Sequence, residues 1–299
     1  MKKYEHLTVG RLKDGLKMVQ DPRRQWGNLR HHLVDIFIIA LFGIICGCEK
    51  WEDIEDYGKT KEEWLRGFLT LENGIPSADT FRRLFERIDP SELERVYREW
   101  ITPYVGGCLQ KQISLDGKTI RGATRKRGNE EKIHIVSAWI REDGITMGQV
   151  KTDEKSNEIT AIPKLLNTLD VSGGTVTIDA MGCQTAIAET IISKGANYVF
   201  AIKKNHPTLY VETIDYFTWA IQDEIEKKKL NTFELIEKGH GRISRWTVTT
   251  TTDIQWFESI DDWASLKSLI KVNRKVSVGE KTSGECLAVR VNGIPTPEK

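Results

Sequence analysis

Two short apolar runs in this chain each close on an aspartate. They are Ile113-Ser114-Leu115-Asp116-Gly117-Lys118-Thr119 and Thr175-Val176-Thr177-Ile178-Asp179-Ala180-Met181-Gly182. Each reads as a buried strand followed by a tight turn, and a carboxylate at the end of a buried strand is costly unless it has a partner. Taken singly, each is a turn aspartate before a small residue. Two of them, separated by a hairpin and a helix, are what a two-metal phosphoryl-transfer site asks of its scaffold.

The surrounding composition is that of an ordinary soluble protein: 299 residues, 39% hydrophobic and 29% charged, with a net charge of +1. That balance excludes a global attraction to polyanions, yet the charge is uneven. From Gln110 to Lys132 seven cations face three anions, and the run lies beside Asp116. As a bland alternative it is a solvated loop; its position favours nucleic acid. The cysteines Cys46, Cys48, Cys108, Cys183 and Cys286 are scattered, so neither a disulfide framework nor a zinc site is indicated, and a cytoplasmic location is expected. Leu33 to Cys48, the most apolar stretch, contains Asp35 and is sixteen residues long, short of the roughly twenty that span a bilayer. It reads as a buried core helix, with no membrane partner.

Residues 1–108 read as an all-helical region with DNA contact as one reading of its basic face. Phe81, Leu84, Phe85 and Ile88 share one side of a helix, and Arg82, Arg83 and Arg87 project from the other. After Gly106-Gly107 strand character begins. Gln112 to Leu115 is strand one, and Lys132 to Arg141 pairs with Ile145 to Lys151 across Glu142-Asp143-Gly144. A helix with Pro163 in its first turn follows, then a strand over 175–178, a helix over 184–193 and a strand over 198–202. The order β-β-β-α-β-α-β is that of a ribonuclease-H-like α/β core, a mixed five-stranded sheet with helices, spanning 109–230. It makes Asp116 and Asp179 neighbours in the central sheet. Residues 231–299 read as a β-rich extension.

Two carboxylates on adjacent strands suit Mg²⁺ or Mn²⁺, which accept all-oxygen sites and keep several waters. Both Asp116 and Asp179 are therefore candidate catalytic and metal-binding residues. Lys118 and Arg121 follow the first aspartate, and Lys203 and Lys204 follow strand five, where a phosphate backbone would run. His240 and Arg242 lie in a glycine-relaxed loop suited to close approach of an anion. His134, within a strand, reads as structural.

At this point several motifs resemble those of the H-repeat-associated proteins, a branch of the bacterial DDE insertion-sequence transposases. They are Asp116-Gly117-Lys118-Thr119-Ile120-Arg121-Gly122, Lys155-Ser156-Asn157-Glu158-Ile159, Asp179-Ala180-Met181-Gly182-Cys183-Gln184 and His240-Gly241-Arg242-Ile243. Upstream, Asp21-Pro22-Arg23 and Pro76-Ser77 with Asp79-Thr80-Phe81-Arg82-Arg83 look similar too. The resemblance covers about residues 20 to 275. It implies metal-dependent cutting and joining of DNA at insertion-sequence ends, with Asp116 and Asp179 as the first two acids of the triad and Lys155 beside the DNA. Because two ends are usually synapsed, it also implies a homodimer.

Two departures bear on activity. Ser244 stands where family members usually carry glutamate after the His-Gly-Arg-x motif, and no His-Trp-x-Ile-Glu-Asn segment follows Glu285. The residues from Cys286 to Lys299 read as an out-of-frame terminus, so a third acid is expected to be missing, with Glu158 the best in-chain substitute. The expectation is an impaired transposase. A non-catalytic DNA-binding remnant that interferes with an intact relative is the alternative, and a stand-alone ribonuclease-H-like nuclease ranks below both.

Overall fold

The computed structural model describes residues 9–23, 29–120, 133–152, 158–203, 207–239, 241–257, 260–278 and 281–292. The chain divides into two compact units, Met1–Gly106 and Gly107–Lys299.

In the first unit the described elements are all helical: α1 (Val9–Lys17), α2 (Leu33–Ile45), α3 (Trp51–Thr60), α4 (Glu62–Arg66), α5 (Ala78–Phe85) and α6 (Pro90–Val105). The apolar α2 forms the centre, with Ile36, Ile38, Ile39 and Ala40 fully buried, as expected for a core helix. Its single carboxylate, Asp35, is buried because it has work to do at a turn. It accepts from Leu71 N at 3.1 Å and Thr70 N at 3.4 Å, holding Leu71 at φ 44°. Phe81 and Leu84 of α5 are buried against this core, and Trp51 stacks on Phe85 at 5.1 Å between centroids. Asp89 caps α6 by accepting from Ser91 N, with Pro90 in the first turn where no amide is needed, and left-handed Gly106 ends the helix. Among the described residues no helix is long and apolar enough to cross a membrane.

The second unit is built on strands β1 (Gln112–Ile120), β2 (Ile133–Ile140), β3 (Ile145–Thr152), β4 (Thr175–Ile178), β5 (Asn197–Ile202), β6 (Asn231–Gly239), β7 (Arg242–Thr251), β8 (Ser268–Val278) and β9 (Lys281–Val291). Helices α7 (Glu158–Asn167), α8 (Thr185–Ser193) and α9 (Pro207–Gln222) alternate with them. The first five strands lie in the order β3-β2-β1-β4-β5, with β1-β4 and β4-β5 parallel and the hairpin strands antiparallel. This is the mixed five-stranded arrangement with helices that the element order predicts.

Four differences from the sequence expectations have physical causes. First, β1 does not end at Leu115. Its antiparallel partner β2 continues the ladder through Asp116↔Ser137 to Ile120↔Ile133, so Asp116-Gly117 lies within a strand and not at a turn. Second, α7 starts at Glu158, which puts Pro163 inside the helix, beyond its first turn. The amide that Pro163 lacks would have met the carbonyl of Ile159, an exposed residue at the open end of the helix.

Third, the sheet does not stop at five strands. Strand β9 pairs antiparallel with β5 through Val199↔Val291 to Ile202↔Ala288, and β8, β7 and β6 follow outward. An unpaired β5 edge would leave a row of backbone donors and acceptors open, and β9 satisfies them. The expected boundary near residue 230 therefore falls inside one nine-stranded sheet. Fourth, residues expected to be a foreign tail take part in the fold. Buried Asn292 accepts from Tyr198 N at 2.6 Å and donates to Asn197 Oδ1 at 3.1 Å, clamping the end of β9 onto the start of β5.

Replacing Asn292 by Ala leaves the buried Tyr198 amide without its acceptor. Urea unfolding should show a loss of about 1–3 kcal/mol. An unchanged midpoint would mean that β9 does not seat on β5 in solution.

Candidate active site

Strand β1 pairs with β4 in parallel register, Leu115 opposite Ile178, so the next residue on each strand is an aspartate. Asp116 and Asp179 thus stand side by side where β4 ends, and both are exposed. Carboxyl ends of parallel strands are where open α/β sheets present ligand sites. Side chains alternate along a strand, so Ser114 and Asp116 share one face of β1 and Thr177 and Asp179 continue it on β4. Thr177 Oγ1 donates to Ser114 Oγ at 3.1 Å and lies 3.5 Å from Gln112 Nε2, a polar ladder leading up to the aspartates. Asp179 also caps the 3₁₀ turn Ala180–Gly182: its Oδ1 accepts from Met181 N at 3.0 Å and Gly182 N at 3.4 Å. Both bonds fall on one oxygen, which orients the carboxylate and leaves Oδ2 outside these two bonds.

The other face of β1 carries a buried arrangement of His134, expected to be structural, and Glu158, expected as the substitute third acid. Glu158, the first residue of α7, is 7% exposed, and His134 on β2 is 2% exposed. His134 Nε2 is hydrogen-bonded to Glu158 Oε1, and its Nδ1 lies 2.9 Å from Thr119 Oγ1. The Glu158 carboxylate rests on Gly117, where a Cβ would collide with it. Glycine inside a strand often marks such a close approach, and that was the available signal. Because Gly117 faces α7, Asp116 points the opposite way. Glu158 is therefore not brought to the face that carries the aspartates, and among the described residues no group of three or more acidic, His or Cys side chains could hold a metal ion.

The basic candidates separate. Lys118 is exposed two residues after Asp116, on the same face of β1. Lys203 is exposed just beyond β5, at the same end of the parallel strands. Arg242 opens β7, five strand positions from β1, about 24 Å across the sheet at ordinary strand spacing. It is exposed but stands apart from the aspartates. Arg121, Lys155, Lys204 and His240 lie outside the described residues. Ser244 is buried on β7 opposite Glu237.

Comparison with known proteins bears on the family to which the chain belongs. Residues 13–101 match a family model described as DDE_Tnp_1-associated, and residues 108–270 match one described as a transposase DDE domain. An uncharacterised protein from the dhlA 3′ region of Xanthobacter autotrophicus is 38% identical over 270 residues, 90% of each chain. The H repeat-associated protein YhhI of Escherichia coli K12 is 34% identical over 291 residues, covering 95% of this chain and 75% of its own. A solved piggyBac transposase synaptic complex with hairpin DNA matches at TM-score 0.37 and 10% identity. It covers 97% of this chain and 58% of its own, a likeness that carries no argument. The family matches suffice: the chain belongs to the DDE transposases, among the H-repeat-associated proteins.

Proposed function

We propose that this chain is an insertion-sequence transposase, acting on DNA phosphodiesters through Asp116 and Asp179, and that its catalysis is impaired. The observation that carries this reading is the register that sets the two carboxylates side by side at the end of β1 and β4. Two exposed carboxylates fit Mg²⁺ or Mn²⁺, which bind through one or two acids together with water and substrate phosphate. Such an ion, when bound, would polarise the phosphoryl oxygens and neutralise charge that develops there. The chain's own contribution is placement. The 3₁₀ turn fixes the Asp179 carboxylate, and the β2 pairing holds Asp116 in the middle of a strand. Lys118 and Lys203 offer cations to phosphates at the same end of the sheet. A ribonuclease-H-like core gives such a pair its usual setting, and two synapsed DNA ends would call for a dimer.

Impairment follows from the carboxylate count. Transition-state charge at phosphorus is best stabilised by a complete preorganised cage. Here Glu158, the candidate third acid, lies under the opposite face and is bonded to His134. We assign Glu158 to positioning: it braces Gly117, and through it the Asp116 segment, from below. The same observation favours a second reading, a remnant that binds insertion-sequence ends without cutting them.

With insertion-sequence-end oligonucleotides and Mg²⁺, the purified chain should cut slowly or not at all and join strands poorly. Any residual cutting should fall by about 10² or more in Asp116→Asn or Asp179→Asn, from the scale of losing one charge-stabilising group. Fast strand transfer would overturn the impairment, and cutting indifferent to both substitutions would overturn the site. Binding that persists in EDTA with no cutting at any metal concentration selects the remnant.

Replacing Glu158 by Gln separates positioning from ligation. The variant should lose about 1–3 kcal/mol of stability, since the hydrogen bond to buried His134 is weakened. Mn²⁺ affinity, followed by calorimetry, should stay the same. A drop in metal affinity at unchanged melting temperature would make Glu158 a ligand instead.

A further inference from the structure

The helical first unit contains a cleft of about 640 Å³ between two walls far apart in sequence. On one side stand Arg23, Arg30 and His31; on the other is the face of α5 with Thr80 and Arg83, and Arg87 just beyond it. Among the described residues four arginines line the cleft, and no carboxylate does. We propose that this cleft binds the phosphodiester backbone of duplex DNA, as a site of its own apart from the aspartate pair. The identity of the polyanion rests on the transposase reading; the site itself rests on the geometry.

Arginine-bearing helices are commonly just solvated, and the same helix shows what that looks like. Arg82 is neutralised along its own face by Asp79 at 2.7 Å and Glu86 at 3.3 Å. Arg95 on α6 is likewise held by Glu99 at 3.0 Å and Glu92 at 3.5 Å. Arg83 and Arg87 are one helical turn apart, so they project together on a different side, into the cleft. Arg83 is only 3.6 Å from an Asp79 already engaged by Arg82. Across the cleft, Arg23 is paired with Asp21 at 2.6 Å, which leaves Arg30 as the freer cation of that wall. Burial, and then the charges of Arg30 and Arg23, hold His31 below its usual pKa, so the positive potential comes from the arginines.

The wall that carries Arg30 is anchored there. Asp35 pins the turn at Thr70 and Leu71, and Asn73 from that turn donates to Arg30 O at 2.6 Å. The hydroxyls of Ser77 and Thr80, 3.1 Å apart, add neutral groups able to bond phosphate oxygens. Guanidinium forks match phosphate oxygens two at a time. Arg30, Arg83 and Arg87 are exposed, so their charge is offered to a large partner and not sealed around a small ion.

The test is anisotropy of labelled duplex DNA with the full chain in EDTA, over a salt series. The variant Arg83→Ala with Arg87→Ala should bind about tenfold or more weakly, and its slope of log K against log salt should shrink by about two, near 0.9 per lost phosphate contact. Arg30→Ala, on the other wall, should reduce the slope by about one. The comparison variant Arg95→Ala, whose partners Glu99 and Glu92 hold none of the cleft's arginines, should match wild type. Thermal melts check that each variant is folded, and either wall alone suffices for the test. DNA binding by wild type that neither wall's variant alters would overturn the cleft assignment and leave the transposase reading intact. Failure of wild type to bind DNA would overturn that reading as well. Arginine-dependent binding of inorganic phosphate, with DNA affinity unaffected by the same variants, would make the cleft a small-anion site and overturn the proposal.

Discussion

The chemistry of the second unit depends on one pairing, the parallel register of β1 with β4. Because Leu115 lies opposite Ile178, Asp116 and Asp179 fall next to each other. Val176 and Ile178 of β4 are buried on the same side as Ile113 and Leu115, and this apolar face locks the register. A slip of one residue would turn every buried side chain to the opposite face. The place of the two carboxylates along the sheet is thus secured by the packing energy of their apolar neighbours, while the bonds from Met181 N and Gly182 N orient Asp179 within it.

The two faces of β1 divide the tasks. One bears Ser114, Asp116 and Lys118 toward solvent. The other bears Ile113, Leu115 and Gly117 toward α7, and there the buried Glu158–His134–Thr119 chain lies against the strand. A buried carboxylate without a partner costs several kcal/mol. His134 and the tight seat on Gly117 explain how Glu158 can stay buried, and why any side chain at 117 would disturb the strand that carries Asp116.

Much of this was legible because its signals are local. Short apolar strands, the hairpin around Gly144 and the amphipathic α7 each declare themselves within a dozen residues, and the two aspartates follow from that order. What was missed is nonlocal. Asp116-Gly117 carries a turn signature, and only the arrival of Glu158 from forty residues downstream explains a glycine within a strand. The tail from Cys286 looked foreign by family pattern, yet its alternation suits the open edge of β5, about ninety residues earlier. Likewise the sequence places Arg82, Arg83 and Arg87 together off the apolar face of their helix. The side chains around them, Asp79 and Glu86 on one side and an arginine-bearing wall on the other, separate Arg82 from its neighbours.

Charge placement links the two units on the proposed reading. A net charge of +1 offers DNA almost no long-range attraction, and two exposed aspartates repel it locally. Screening confines each charge to a range of about 8–10 Å in physiological salt. Cations can therefore offset the aspartates only from nearby, as Lys118 and Lys203 do at the same end of the sheet, while any further hold on the backbone needs its own cluster. The arginine cleft of the first unit is such a cluster, with four arginines and no carboxylate among its described lining residues, although Asp21 and Asp79 offset part of the charge from behind. Holding DNA and cutting it then depend on different residues, so the loss of an acid from one site would leave the other able to bind.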